Sequence, residues 1–145
     1  MPEYLIPYVT YLISLVVFGV AFWKGDRPLK LAALLLFAGW TLTPIVHKSD
    51  KLILDYPVLT IDTNTALALV WVSLRWRRVW CAVLAALTIL IVIVQLEYVF
   101  DRGIHLYNRY AANNILSNLQ LVVVAVATWY AVRARRRADE GAVRA

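Results

Sequence analysis

A chain of 145 residues that is 62% hydrophobic, 17% charged and of mean hydropathy +0.68 lies outside the range of soluble globular domains. Its apolar stretches take up so much of the length that no separate catalytic domain fits beside them. The net charge of +6 points to anionic lipid rather than nucleic acid, because the basic residues gather where apolar stretches end, and a single cysteine, Cys81, excludes an intramolecular disulfide or a thiolate metal cluster.

The first apolar stretch covers residues 4–23. No cationic leader precedes it and no small-residue cleavage site follows, so it reads as a retained helix rather than a signal peptide. Tyr4, Tyr8 and Tyr11 fall on one of its faces. The second stretch, residues 29–46, carries Thr41, Thr43 and Pro44, with His47 just beyond. Pro44 has no amide proton for the Trp40 carbonyl, which leaves that carbonyl free and permits a kink.

The third stretch is the weakest. Its purely apolar run, Ala66 to Leu74, is nine residues, about 14 Å of helix, too short for a hydrocarbon core of about 30 Å. With Asp55 as cap and Pro57 in the first turn, residues 57–74 make a spanning helix that carries Asp62 and Asn64. A re-entrant segment capped by Asp62 would instead break the alternation of charge set out below. Lys51 to Leu54 then form a short interfacial piece. The fourth stretch, residues 79–98, offers Ala82, Ala85 and Ala86 as a small-residue face for close helix approach. The fifth, residues 113–132, is polar over its first two turns, and residues 133–145 follow as a basic tail.

The connectors give an orientation. Lys24, Arg27 and Lys30, then Arg75, Arg77 and Arg78, then Arg133, Arg135, Arg136, Arg137 and Arg144 all fall on one side; Lys48, Lys51, Arg102 and Arg109 are the only basic residues on the other. Because Lys and Arg in short loops stay inside, the expected fold is an all-α bundle of five transmembrane helices with its amino terminus outside and its tail cytoplasmic. Arg75, Arg77, Arg78, Arg133, Arg135, Arg136 and Arg137 are then candidate contacts for anionic headgroups.

Polar residues crowd the outer halves of the helices while the inner halves are nearly pure hydrocarbon. This pattern predicts an outward polar vestibule above an apolar plug, with Asp62, Asn64, Glu97, Asp101, Arg102, His105, Arg109, Asn114 and Asn118 as candidate ligand or partner residues. Interhelical hydrogen bonding alone is an equally simple use of these groups. Asp62 needs a partner most, and Arg102, Arg109 and Asn114 are the candidates. Neither His47 nor His105 is spaced to share a metal or haem with a second ligand on one helical face, so no cofactor is expected. No nucleophile signature or phosphate-binding glycine loop is present.

The stretch from Asp62 through Trp71, then Leu74-Arg75-Trp76-Arg77-Arg78 and Trp80, an apolar helix, a polar loop and a last helix ending in Arg135-Arg136-Arg137, resembles the small, uncharacterised polytopic membrane proteins common in alphaproteobacteria. The resemblance covers the second half of the chain and implies a bacterial inner membrane and no particular activity. The functions that fit are a non-enzymatic interaction or accessory subunit bound to a membrane-protein partner or to its own copies; a small channel, transporter or holin-like oligomer; and, more distantly, a haem- or metal-binding membrane enzyme.

Overall fold

A computed structural model describes residues 2–46, 56–100 and 106–144, without the side chains of residues 2–7, 98–99 and 106–107. The described residues form five helices: α1 (Pro2–Lys24), α2 (Arg27–Val46), α3 (Tyr56–Trp76), α4 (Val79–Phe100) and α5 (Leu106–Arg144). Four contain segments long and apolar enough to cross a membrane, namely Arg27–Val46, Tyr56–Trp76, Val79–Glu97 and Asn108–Arg144. Over its described side chains, α1 gives a shorter apolar helix, Tyr8–Lys24. The mean hydropathy of α3 is 1.3 against 2.7 for α4, which matches the interruption by Asp62, Thr63, Asn64 and Thr65. The interfacial piece expected at residues 51–54 lies outside the described residues.

Two connectors are only two residues long. Gly25 closes α1 through its amide to the Ala21 carbonyl at 2.8 Å, and Asp26 opens α2 by accepting from the Lys30 amide at 2.9 Å. Arg77 donates to the Ser73 carbonyl at 2.8 Å and has φ 49°, a left-handed conformation that costs a side-chain-bearing residue about 1–2 kcal/mol. Arg78 then accepts from the Ala82 amide and starts α4. Such tight turns force neighbouring helices to run antiparallel.

Each helix packs on the next in sequence, and α1 also packs on α5, so the five close into a ring. Phe18 of α1 sits edge-on to Phe37 and Trp40 of α2 at centroid distances of 6.2 and 5.7 Å. The core gathers Phe18, Ala21, Leu29, Ala33, Leu36, Leu69, Leu84, Ala85, Leu121, Val124 and Ala127. Side chains such as Leu12, Val16, Phe22, Leu34, Ile45, Leu67, Trp71, Leu74, Ile93 and Val122 point outward and are exposed, a surface suited to hydrocarbon. Of the small-residue face expected on α4, Ala85 is buried but Ala82 and Ala86 are exposed, because the buried stripe of α4 runs through Cys81, Leu84, Ala85 and Thr88 and the two exposed alanines each lie one residue, about 100°, round from it.

Helix α5 is much longer than its apolar stretch. Its 39 residues extend about 58 Å, and the segment expected as a tail beyond residue 132 continues the same helix, with all of residues 133–144 exposed. The cause lies in composition: Ala and Arg, good helix formers, dominate that segment, and no proline interrupts it.

Candidate functional site

The ring has two chemically different ends. At the basic end Lys24, Arg27, Arg75, Arg77, Arg78 and Arg133 surround the two short connectors. Arg78 lies 3.7 Å from Asp26, an exposed pair of little energetic weight, while Arg135 donates to the Gly25 carbonyl at 3.2 Å and ties α5 to the first turn. Arg75 stands over Trp76 and Arg133 over Trp129, at 5.8 and 5.1 Å from the ring centroids.

The opposite end is polar. The Trp40 carbonyl left without a helical donor by Pro44 accepts from the Tyr11 hydroxyl of α1 at 3.2 Å, so the helix defect becomes an interhelical contact. Ser14, buried one turn deeper, donates to the Tyr11 carbonyl. Thr41, Thr43, Thr60, Thr63 and Thr65 each donate to the carbonyl four residues back. Hydroxyls that satisfy themselves in this way need no neighbour.

The two glutamines and the Asp62 carboxyl behave differently. Gln95 of α4 donates through Nε2 to Asp62 Oδ2 of α3, and this amide, rather than Arg102, Arg109 or Asn114, is the hydrogen-bond partner of Asp62 among the described residues. Deeper in the bundle Gln120 of α5 donates through Nε2 to Thr88 Oγ1 of α4 at 2.8 Å, and Thr88 donates to the Leu84 carbonyl at 2.8 Å. Gln95, Thr88 and Gln120 are all at least 96% buried. Among the described residues, the buried side-chain oxygens Asn113 Oδ1 and Gln120 Oε1 have no hydrogen-bond partner.

The helical register makes layers of these contacts. Thr88 lies opposite Gln120, and nearer the polar end Val94 and Glu97 of α4 line one pocket with Ala112 and Arg109 of α5. The same antiparallel register puts Asn113 level with Gln95, and therefore with Asp62. On α4 and on α5 the two layers are seven residues apart, which is about 10.5 Å of rise and only about 20° of rotation, so Thr88 and Gln95 share one face of α4, and Gln120 and Asn113 one face of α5. Ala66 and Ile91 are buried between the two layers.

The predicted candidates do not converge on a single vestibule. Asp62 turns to Gln95, whereas Asn64, Asn114 and Asn118 are exposed. Asn64 and Asn118 each donate to the carbonyl four residues back, Thr60 and Asn114 respectively, at 2.9 Å. Two positions at 100° per residue separate Asp62 from Asn64 by about 200°, so the two cannot face the same side. Glu97 and Arg109 line a half-open pocket of about 350 Å³ with Val94, Asn108 and Ala112. Asp101, Arg102 and His105 lie outside the described residues, as does His47. Among the described residues no three His, Cys, Asp or Glu side chains cluster in a way that could hold a metal ion. Thr88 and Gln120 were the partners least visible in sequence, and their signal was the seven-residue spacing they share with Gln95 and Asn113.

Compared with known proteins, the chain matches no protein-family model, no curated protein and no solved structure.

Proposed function

We propose that this is a non-enzymatic, multi-pass protein of the bacterial inner membrane that acts as an interaction or accessory subunit of a larger membrane assembly. In this reading all five helices span the bilayer, the polar end faces outward, and the basic extension of α5 lies in the cytoplasm. Support for the orientation comes from the lysines and arginines of the short connectors, which gather at one end. The bacterial location follows the resemblance of the second half of the chain. At the basic rim Arg75, Arg77, Arg78, Arg133, Arg135, Arg136 and Arg137 meet anionic headgroups, each worth about 1 kcal/mol near the surface.

The observation that carries the reading is the pair of outward amides. Asn64 lies eight residues into α3, about 12 Å, on a face it shares with exposed Leu67 and Trp71. Asn118 lies eleven residues from Trp129, about 16 Å, beside exposed Ile115, Leu119 and Val122. Lipid offers an amide nothing to bond, and polar groups at such depth generally face protein. The occupant that fits is a membrane-spanning helix with hydroxyl or amide groups of its own, each new hydrogen bond adding roughly 0.6 kcal/mol. A conduit through one protomer has less support, because Leu29, Leu36, Leu69, Leu84 and Val124 fill the interior toward the basic end with 2% exposure or less.

Gentle extraction with native mass measurement tests the subunit role. The wild type is expected to travel well above the 16.5 kDa of one chain plus bound lipid, and the double variant Asn64→Leu/Asn118→Leu as a monomer of unchanged helicity. A monomeric wild type, or an undisturbed assembly in the variant, would sink the reading. Orientation is tested with single cysteines replacing Tyr56, Tyr110 and Arg137 in a Cys81→Ser background. An impermeant maleimide is expected to reach positions 56 and 110 from outside and position 137 only after permeabilisation. The reverse pattern overturns the orientation.

A further inference from the structure

The outward side of α5 has a period of its own. Ile115, Asn118, Val122, Ala125, Trp129 and Val132 follow one another in alternate steps of three and four, the spacing along which two helices pack knobs into holes. Ile115, Val122 and Trp129 are each more than half exposed, whereas Gln120, Val124 and Ala127 on the opposite side of the helix are buried in the bundle. The same steps continue past the apolar stretch through Arg136, Asp139 and Val143, within the segment 133–144 that is exposed throughout. From Ile115 to Val143 the seam is about 42 Å long. A helical segment of this kind gains little stability without a partner in water, and Gly141 weakens it further.

Two features say what covers the seam. Asn118 donates one Nδ2 hydrogen to the Asn114 carbonyl, and its second N–H and its Oδ1 give one exposed group both a donor and an acceptor. Such an amide is complementary to itself across a two-fold axis. Farther along, Arg136 and Asp139 carry opposite charges one step apart, about 4.5 Å along the helix. In a parallel pair of identical helices each guanidinium therefore stands beside the carboxylate of the other. The outward side of α3 has a similar spacing in Thr60, Asn64, Leu67, Trp71 and Leu74, but α3 stops at Trp76 and this face offers no acidic residue to pair with a base.

We propose that a second copy of this chain packs on α5, parallel and related by a two-fold axis along the membrane normal. The proposal rests on the reading that the outward amides meet protein, and it names that protein for Asn118. Copies inserted alike have parallel α5 helices, so the axis sets each seam residue against its own counterpart. The two Asn118 amides exchange hydrogen bonds, small Ala125 admits the close approach that bulky Trp129 needs beside it, and Arg136 meets Asp139 of the other copy. Arg135 and Arg137, off the seam, remain with the headgroups.

The test is oxidative cross-linking of single cysteines in the full chain, purified and reconstituted into vesicles of neutral and anionic phospholipid, in a Cys81→Ser background. Val122→Cys and Ala125→Cys are expected to give a product of twice the mass of one chain, and Leu67→Cys, equally exposed but on α3, to give little. Cross-linking at 67 equal to that at 122 overturns the proposal. Asn118→Leu is expected to weaken the dimer by roughly 5–10-fold, the loss of two hydrogen bonds in lipid, and Asn64→Leu to leave it unchanged. An unaffected Asn118→Leu dimer, or one lost through Asn64→Leu, also overturns it. Charge gives a readout that only contact between copies can move. Arg136→Glu and Asp139→Arg chains are each expected to dimerise less than wild type and to recover when mixed, because only the mixed pair sets opposite charges together. No recovery on mixing overturns the arrangement. The two readings fail differently: a heavy native assembly without these cross-links overturns the second copy alone, whereas a monomeric native extract overturns the subunit role and the second copy with it.

Discussion

Gly25→Ala should destabilise the bundle by about 1–3 kcal/mol, whereas Gly19→Ala, six residues earlier in the same segment, should leave it unchanged or slightly stabler. A Cβ at position 25 would stand 2.2 Å from the Ala21 carbonyl oxygen and 2.9 Å from Leu29 Cδ2. The first neighbour is backbone already bonded to the Gly25 amide, and the second is a side chain with 0% exposure and no free space to swing into. The turn between α1 and α2 must open, and opening it also displaces the Gly25 carbonyl that receives Arg135. A Cβ at Gly19 meets nothing within 4 Å. Thermal melts of both variants in one detergent decide the matter; equal midpoints would mean that the turn relaxes freely.

Leu69→Ala should cost about 2–5 kcal/mol, and Leu67→Ala on the same helix close to nothing. Leu69 has 0% exposure and belongs to the core, while Leu67 is 63% exposed. In lipid the transfer term that dominates in water is weak, so the penalty comes from lost dispersion contacts and an unfilled void. Helix α3 feels this most, because it is the least apolar of the candidate spans and depends on packing for its place. Equilibrium unfolding in mixed micelles measures both variants. Similar losses at positions 67 and 69 would show that α3 is not oriented as described.

What the sequence made legible were features that one helix can state alone. Apolar runs located the helices, Pro44 announced the Trp40 carbonyl that Tyr11 caps, and the interruption at Asp62 to Thr65 marked α3 as the marginal span. Apolarity does not mark where a helix ends, so the continuation of α5 to Arg144 was hidden behind a run of arginines. Contacts between helices were hidden for a different reason. The partner of Asp62 depends on how α3 slides against α4, and one residue of slip would carry Gln95 about 100° out of reach. The divergence of Asp62 from Asn64 was available from angle alone. It was obscured by treating depth, without azimuth, as the measure of a shared site.

The contact of α1 with α5 has a consequence for the order of assembly. Helices α2, α3 and α4 each meet a neighbour as soon as the next segment emerges, but the side of α1 that faces α5 has no protein partner until the last helix arrives. During synthesis that flank of α1 is covered by lipid or by the insertion machinery. A ribosome paused after α4 would therefore hold a four-helix arc with both edges open, and the final helix acts as the clasp that joins the first-made part of the chain to the last.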